Sequence, residues 1–145
     1  MVDEIDRRIL EILMKNARTP YSSIARALGI SDVAVLKRAR RLERDGVIKG
    51  YRAIVNPSAL GYERVSITGV NVRPELLLDV INALKTMEQV KFLATASGDH
   101  DIVAVIWARN GRELAEIHER IAKVNGVVAV YPMVIVDVIK DEASL

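Results

Sequence analysis

Five basic side chains fall within eight consecutive positions of the segment LGISDVAVLKRARRLERDG, residues 28–46. They are Lys37, Arg38, Arg40, Arg41 and Arg44. At about 100° per residue, all of them except Arg38 share one face of a helix, and that face holds no acidic residue. A solvated helix face usually mixes signs, so an unpaired row of cations favours a partner that supplies negative charge, as DNA phosphates do. A merely solvated surface is the alternative interpretation.

The elements around this segment predict a helix-turn-helix. Apolar side chains recur at helical spacing after Asp3, a good N-cap, and Pro20 suits the first turn of a second helix. Gly29 fits a left-handed helix end and Ser31 an N-cap, so the basic segment forms a third helix that Gly46 closes. This layout of helix, short glycine turn and helix places the later helix in the DNA major groove.

We therefore predict three groups of DNA-contacting residues around this recognition helix, residues 31–45. The groups expected at base edges, where side chains read sequence, are Ser31, Val33, Leu36, Lys37 and Arg40. Phosphate contacts, which set register, are expected from Arg41, Arg44, Lys49 and Arg52. The start of the preceding helix adds two backbone candidates, Tyr21 and Ser22.

Charge is divided unevenly along the 145-residue chain. Residues 1–55 hold 12 Lys and Arg against 7 Asp and Glu, whereas residues 56–145 hold 9 against 12. The asymmetry predicts two modules, of which the first suits a polyanion. The absence of cysteine excludes disulfides and thiolate sites and fits a cytoplasmic location. No apolar run reaches the roughly 18 residues of a membrane span, and the start, MVDEIDRRIL, indicates a helix rather than a secretion signal.

The second half predicts an α+β module with four strands and two helices. Strands are expected at Arg64–Val72, Val90–Ser97, Asp101–Ala108 and Val127–Ile139, and helices at Pro74–Met87 and Arg112–Val124. The order βαββαβ is that of the ferredoxin-like unit. We predict a helix-turn-helix (winged-helix-like) domain at 1–55 ending in a short strand at VIKGYRAIV, a linker at 56–62, and the ferredoxin-like domain at 63–145.

The predicted sheet has an apolar face that its own helices leave uncovered. The strands VKFLATAS, IVAVIWA and VYPMVIVDV are apolar on both faces, whereas two helices cover only one face of a four-stranded sheet. The other face predicts a partner, and a second copy of the chain is the simplest one. Within the first strand, Gly69 suggests a bulge.

Several blocks resemble the Lrp/AsnC (feast/famine) family of transcription regulators, and its archaeal members in particular. They are ARTPYSSIA, LGIS, RLERDGVIKGY, NPSALGY, SGDHDIVAVIWA and GVVAVYPMVIV. The resemblance covers essentially the whole chain. It implies homodimers formed through the C-terminal sheets, often assembled into octamers or similar rings, that bind DNA half-sites one or more helical turns apart. Autoregulation is common among such regulators.

The resemblance also implies a small-molecule site at the turn between the second and third strands, where family members commonly bind an amino acid. The matching residues are Ser97, Gly98, Asp99, His100 and Asp101. A glycine turn exposes N–H groups that can hold a carboxylate, and an acid can receive an ammonium group. A plain hairpin would use the same turn residues. Relatives often carry threonines near the start of the last strand, where this chain has VYPM, so a different ligand, or none, remains open.

Other classes of protein find less support in the sequence. The histidines, His100 and His118, belong to no HExxH motif, and no phosphate loop or GxSxG motif is present. We therefore predict no enzyme, no metal and no cofactor, and place His118 at a helix edge. Few aromatic residues are available to stack on single-stranded RNA. An effector-blind DNA-packaging protein of low sequence specificity remains the alternative to a regulator.

Overall fold

The chain divides into two compact units, Met1–Ala53 and Ile54–Leu145, and the structure, a computed structural model, describes residues 1–143. The last two residues of the predicted 63–145 domain lie outside the described residues. The predicted linker at 56–62 contains a short 3-10 helix, Pro57–Leu60. Each unit carries a hydrophobic core of its own.

Unit 1 consists of three helices within one or two residues of the predicted positions. They are α1 (Glu4–Lys15), α2 (Tyr21–Leu28) and α3 (Asp32–Arg44). Asp3 caps α1 by accepting the N–H of Asp6, and Ser31 caps α3 by accepting the N–H of Ala34 at 3.1 Å. Gly29 ends α2 with φ of 67°, a conformation that disfavours any residue with a Cβ. Pro20 stands one position earlier than predicted, as the N-cap residue directly before α2.

The core of unit 1 forms where the apolar stripes of the three helices meet. Its buried members are Ile9, Leu13, Ile24, Ala25 and Val35. Ala39 and Leu42, further along α3, are buried as well. The inner face of α3 is therefore formed by Val35, Ala39 and Leu42, and Lys37, Arg40 and Arg44 on the opposite face are exposed.

The strand predicted at VIKGYRAIV is wrong: residues 47–55 form no strand in the described chain. An extended segment becomes a strand only when a neighbour satisfies its backbone N–H and C=O groups. Unit 1, as described, contains no other strand to pair with. One side-chain contact ties the segment back to α3, because the Tyr51 hydroxyl donates to the Glu43 carboxylate at 2.8 Å.

Unit 2 is an antiparallel four-stranded sheet with two helices, in the predicted βαββαβ order. Its elements are β1 (Arg64–Val72), α4 (Leu77–Lys85), β2 (Val90–Thr95), β3 (Ile102–Ala108), α5 (Gly111–Ala122) and β4 (Val127–Val134). A 3-10 turn, Pro74–Leu76, precedes α4. The strand order is β2-β3-β1-β4, so β4 and β2 are the edges. The ferredoxin-like prediction is confirmed.

Several details of the strands differ from the predictions: β2 ends at Thr95 rather than at Ser97, and β3 begins at Ile102 rather than at Asp101. The last strand ends at Val134, opposite Ser66 of β1, rather than at residue 139, and one further backbone hydrogen bond follows it, from the Ile135 N–H to the Val65 carbonyl at 2.8 Å. The irregularity in β1 lies between Asn71 and Val72, not at Gly69. Gly69 serves a different purpose: a Cβ there would lie 2.3 Å from Cδ2 of His100, so only glycine admits the imidazole ring.

The two faces of the sheet are unequally covered. Helices α4 and α5 bury one face, including Val70 of β1 and Ile102 and Ile106 of β3. The other face, here called the open face, carries partly or largely exposed apolar side chains. They are Val65, Ile67, Phe92, Val103, Val105, Trp107, Tyr131 and Met133. The predicted second apolar face is confirmed.

Candidate nucleic-acid interface

A stripe of exposed cations runs along the outer face of α3. Lys37, Arg40 and Arg44 are spaced by three and four residues, so they lie on one line along the helix, and all three are exposed. Within residues 1–143, Lys37 and Arg40 form no ion pair, and Arg44 makes only a solvent-exposed contact with Asp45 at 3.3 Å. An exposed pair of that kind contributes little energy. This exposed stripe is therefore free to meet an external polyanion.

A second pair of cations on α3 faces α1 instead. Arg38 contacts Asp3 at 2.6 Å and the buried carboxylate of Asp6 at 2.8 Å, and Arg41 also pairs with Asp6. The interpretation of Arg41 as an unpaired cation is therefore wrong. No sequence pattern linked these residues, because Asp6 lies 32 and 35 positions away from its two partners.

The ion pairs determine the charge states in this network. Burial alone would raise the pKa of Asp6, but the N–H of Asp3 and the Arg38 and Arg41 guanidiniums outweigh it and hold that pKa below its ordinary value. The hydrogen bond from Arg38 likewise lowers the pKa of Asp3. Both acids are accordingly ionised at neutral pH, and the network is a set of full charges.

The predicted base-edge residues lie at the start of α3. Val33 has 58% of its surface exposed, and Leu36 is half-buried beside Lys37. The Ser31 hydroxyl accepts the N–H of Ala34 as a cap and is itself exposed. An exposed apolar residue beside cations at the start of a recognition helix suits a thymine methyl flanked by phosphates.

The remaining DNA candidates lie around α3 in the sequence. Ser22, at the start of α2, is exposed, whereas Tyr21 is half-buried and packs against the core. Lys49 and Arg52 are exposed in the segment after α3, and within the described residues neither forms an ion pair. Burial raises the pKa of the neighbouring Tyr51, and its hydrogen bond to Glu43 adds to the effect. That phenol is therefore a neutral donor.

In unit 2, the predicted effector turn divides into an exposed tip and two anchored residues. Ser97, Gly98 and Asp99 form the exposed tip. Asp101 accepts the N–H of Val72 at 2.9 Å, so one of its oxygens already serves the irregularity in β1. His100 lies on the open face, where Nδ1 is 3.0 Å from Oδ1 of Asn71 and the ring stands 4.7 Å from that of Tyr131.

His118 is not the plain helix-edge residue that the sequence predicts. Its Nε2 lies 2.7 Å from the hydroxyl of Thr68, which is 3.0 Å from the hydroxyl of Ser66, and both hydroxyls are buried. Burial lowers the pKa of His118 and favours the neutral ring. The imidazole borders an open, mostly aliphatic groove of about 500 Å³ between α5 and β4, beside Val130 and Pro132. Its partners on β1 could not be read from helical spacing.

The part of the chain that the structure describes contains neither a cluster of metal-ligating side chains nor a membrane-spanning helix. Residues 1–143 bring together no group of three His, Cys, Asp or Glu side chains able to hold a metal ion. Within the same residues, no helix is both long and apolar enough to cross a bilayer.

Two family models match the chain and follow its two units. The AsnC-type helix-turn-helix domain matches residues 2–43, which contain α1, α2 and nearly all of α3. The Lrp/AsnC ligand binding domain matches residues 65–145, which contain nearly all of β1 and the remaining strands and helices of unit 2. The two matches together span most of the chain.

Individual relatives are similar to the chain over most of its length. The chain is 52% identical over 141 residues to the HTH-type transcriptional regulator LrpA of Pyrococcus horikoshii. This match covers 97% of this chain and 100% of that protein. It is 37% identical to the regulator Ptr1 of Methanocaldococcus jannaschii, over 87% and 88% of the two chains. Among solved structures, the feast or famine regulatory protein of M. tuberculosis in complex with L-methionine superposes with a TM-score of 0.90 at 27% identity, over 99% and 97% of the chains.

Proposed function

The chain belongs to the Lrp/AsnC family of transcription regulators, and on this premise we propose that it binds specific double-stranded DNA sequences through α3 as a dimer or higher oligomer. A transcription regulator with a helix-turn-helix domain and a ligand-binding domain is not an enzyme. The proposal concerns which residues meet DNA, how copies assemble and what the second unit senses.

One observation carries the DNA-binding proposal: the exposed stripe of Lys37, Arg40 and Arg44 lies on the helix that follows the Gly29 turn. Like charges in a row repel one another, and within the described residues no strong ion pair offsets that repulsion. Phosphates would do so and release counterions. Lys37 and Arg40, nearer the start of α3, are in the position to reach guanine, and Val33 to touch a thymine methyl. Arg44, Lys49 and Arg52 are proposed phosphate contacts.

Self-association is supported by the open face of the sheet in unit 2. Met133 and Tyr131 on edge strand β4 have 60% and 49% of their surfaces exposed, and they continue the apolar surface of Ile67 and Val105. Covering this face with the same face of a second copy gives a two-fold dimer with two recognition helices. The family resemblance extends this to octamers or similar rings. Such a dimer would bind half-sites one or more helical turns apart.

The effector proposal rests on the exposed turn between β2 and β3. A small molecule such as an amino acid would meet backbone N–H groups near Gly98 and the side chains of Ser97 and Asp99, which are exposed. The L-methionine complex of the mycobacterial relative supports this ligand class. Asp101 and His100 would then shape the site, since both already hold partners in β1.

Binding to DNA upstream of the protein's own gene tests the regulator proposal, because autoregulation, which is common among such regulators, is part of the proposal. The duplex is compared with a scrambled duplex of equal length and composition across a salt series. We expect a steep loss of affinity with salt on both duplexes and at least a hundredfold preference for the upstream one. Binding to a library of fragments from upstream of other genes is measured as well, with and without added amino acids. It detects a target site that lies elsewhere, or binding that requires a ligand.

Equal affinity for all duplexes would favour the second candidate, an effector-blind architectural protein. The observation behind this candidate is that the cation stripe and the open face serve sequence-independent coating of DNA equally well. An architectural protein loses affinity evenly across sequences, whereas a regulator keeps a specificity ratio of roughly 10³ or more.

A further inference from the structure

The five basic residues of α3 form two stripes rather than one face. Lys37, Arg40 and Arg44 lie on the exposed stripe. Arg38 and Arg41, three residues apart, form a second stripe that faces α1 and pairs there with Asp6. The first stripe is available to DNA, and the second is held within the protein.

Asp6 is unusual among the acids of unit 1 because its side chain is fully buried. Its two carboxylate oxygens accept from Arg38 and Arg41, and one of them also accepts the N–H of Asp3. Asp3 adds a second acid to the Arg38 guanidinium. A buried carboxylate with three donors on two helices fixes both the distance and the rotation of one helix against the other.

We infer that Asp6 is a positioning residue for DNA recognition, which withdraws Arg38 and Arg41 from the phosphates and fixes the rotation of α3. The inference rests on the proposed function, and it corrects the sequence prediction that Arg41 contacts phosphate. Lys37, Arg40 and Arg44 are then the cations of α3 that set affinity. The Asp6 network sets how sharply the chain discriminates between sequences.

Two neighbouring arginines of the same helix test which stripe meets DNA. Arg40→Ala and Arg41→Ala remove the same charge one position apart, and the full-length chain is titrated with upstream and scrambled duplexes across salt. We expect Arg40→Ala to lower the slope of log affinity against log salt by up to about 0.9, because a cation held in the groove displaces counterions as a phosphate contact does. Arg41→Ala should leave the slope unchanged while reducing the preference for the upstream duplex. An equal loss of slope in both variants would overturn the inference.

Asp6→Asn provides a readout that loss of stability cannot mimic. The substitution is nearly isosteric and leaves Arg41 without an acidic partner and Arg38 with Asp3 alone. Affinity for the scrambled duplex should therefore rise about three- to tenfold at low salt while the preference for the upstream duplex falls. Glu4→Gln, the same charge change at an exposed site on α1, is the matched control. A parallel loss of affinity for both duplexes, or an equal rise in the two variants, would contradict a positioning role.

The unsubstituted chain separates this inference from the proposed function. If it binds neither duplex in a salt-dependent manner, the DNA-binding proposal fails, and this inference fails with it. If it binds the upstream duplex selectively but Arg41→Ala loses slope as Arg40→Ala does, only the inference fails.

Discussion

The two units bury polar groups in opposite ways. Unit 1 buries the ionised Asp6 and satisfies it with two guanidiniums from α3. Unit 2 buries the neutral hydroxyls of Ser66 and Thr68 and satisfies them with the uncharged ring of His118. A charged network is strong only while every member stays ionised and paired, whereas a neutral network is weaker and less sensitive to salt. The charged network joins the helix that is proposed to meet DNA to its neighbour.

The surfaces of the two units also differ in charge. Unit 1 exposes cations on α3, and unit 2 exposes the apolar open face of its sheet. Attraction to a polyanion weakens steeply as salt rises, but burial of apolar surface does not. DNA binding and self-association should therefore respond independently to salt and to substitution. Each prediction below tests one side of this contrast.

The largest effect is expected at the open face. Met133→Glu places a charge from each copy into the proposed two-fold interface, and burying an unpaired charge costs several kcal/mol. We expect association to weaken by at least about a thousandfold, measured by sedimentation velocity over a range of protein concentrations and salt. Because Met133 is 60% exposed in the single chain, the fold of unit 2 should survive.

Leu78→Glu is the matched control for that substitution. Leu78 lies on α4, on the covered side of the sheet, and is 73% exposed, so the same change in charge there should leave the oligomer intact. If Met133→Glu sediments as the unsubstituted chain does, the open face is not the interface between copies.

The next effect concerns the exposed stripe of unit 1. The double variant Lys37→Ala, Arg40→Ala removes two cations that form no ion pair within residues 1–143. We expect upstream-duplex affinity to fall by roughly 30- to 900-fold, since each base or phosphate contact contributes about 1–2 kcal/mol. Sedimentation should show an unchanged oligomer. Binding as tight as that of the unsubstituted chain would mean that α3 is not the recognition helix.

The contrast between the units also explains what the sequence could predict. Helix ends, caps and apolar stripes depend on residues that are close in the sequence. Asp3, Gly29 and Ser31 therefore predict the ends of α1, α2 and α3 within a few residues. The four strands of unit 2 were predicted from β-branched runs bounded by turn residues, and the structure confirms these strands and the helices. The same local signal failed at VIKGYRAIV, because no partner strand lies beside it within the described residues.

Features that depend on distant pairs were missed. Asp6 meets Arg41 across 35 positions, and Thr68 meets His118 across 50. Nothing in the spacing of an acid on α1 indicates whether it faces solvent or another helix. The ends of strands are similarly hard to predict: β4 ends at Val134 although β-branched residues continue to Ile139, and nothing in the local sequence marks that end. In the candidate site, the exposed stripe could therefore be predicted, but the separate stripe of Arg38 and Arg41 that pairs with Asp6 could not.

A third prediction measures how much the charged network stabilises unit 1. Asp6→Ala leaves Arg38 and Arg41 without their buried partner, and breaking a buried pair in this way should cost about 3 kcal/mol. Hydrogen exchange of α1 and α3 amides reports on this unit, whereas the tryptophan at 107 reports on the other. Glu4→Ala, exposed on the same helix, should stay within about 0.5 kcal/mol of the unsubstituted chain. Equal protection in the two variants would show that the network contributes no stability.

The same network predicts a response to acid in unit 1. The pKa of Asp6 is lower in the folded chain than the ordinary value of 3.8, so the unfolded chain takes up the proton first as pH falls. The stabilisation is complete at neutral pH and is lost as pH falls below about 3.8 towards the folded value. Protection of α1 and α3 should therefore decline in this range, and the decline should be smaller in Asp6→Asn, where Asp3 is the acid of the network that still titrates.

The smallest effect is expected from the neutral network of unit 2, at a higher pH. Burial lowers the pKa of His118 below 6.5 in the folded chain, so the unfolded chain binds a proton first as pH falls through 6.5. The stability of unit 2 should decrease between pH 7.5 and 5, as followed by urea unfolding with the fluorescence of Trp107, the one tryptophan in the chain. The effect is modest because His118 is only half-buried.

His118→Gln isolates this contribution, since glutamine can still hydrogen-bond to Thr68 but does not titrate. The variant should lose part of the pH dependence, and the difference from the unsubstituted chain belongs to His118. Unit 1 contains no histidine, so its amide protection over the same pH range is an internal control. If His118→Gln keeps the full pH dependence, the imidazole is not held neutral by burial. Unit 2 would then no longer differ from unit 1 in the charge of its buried network.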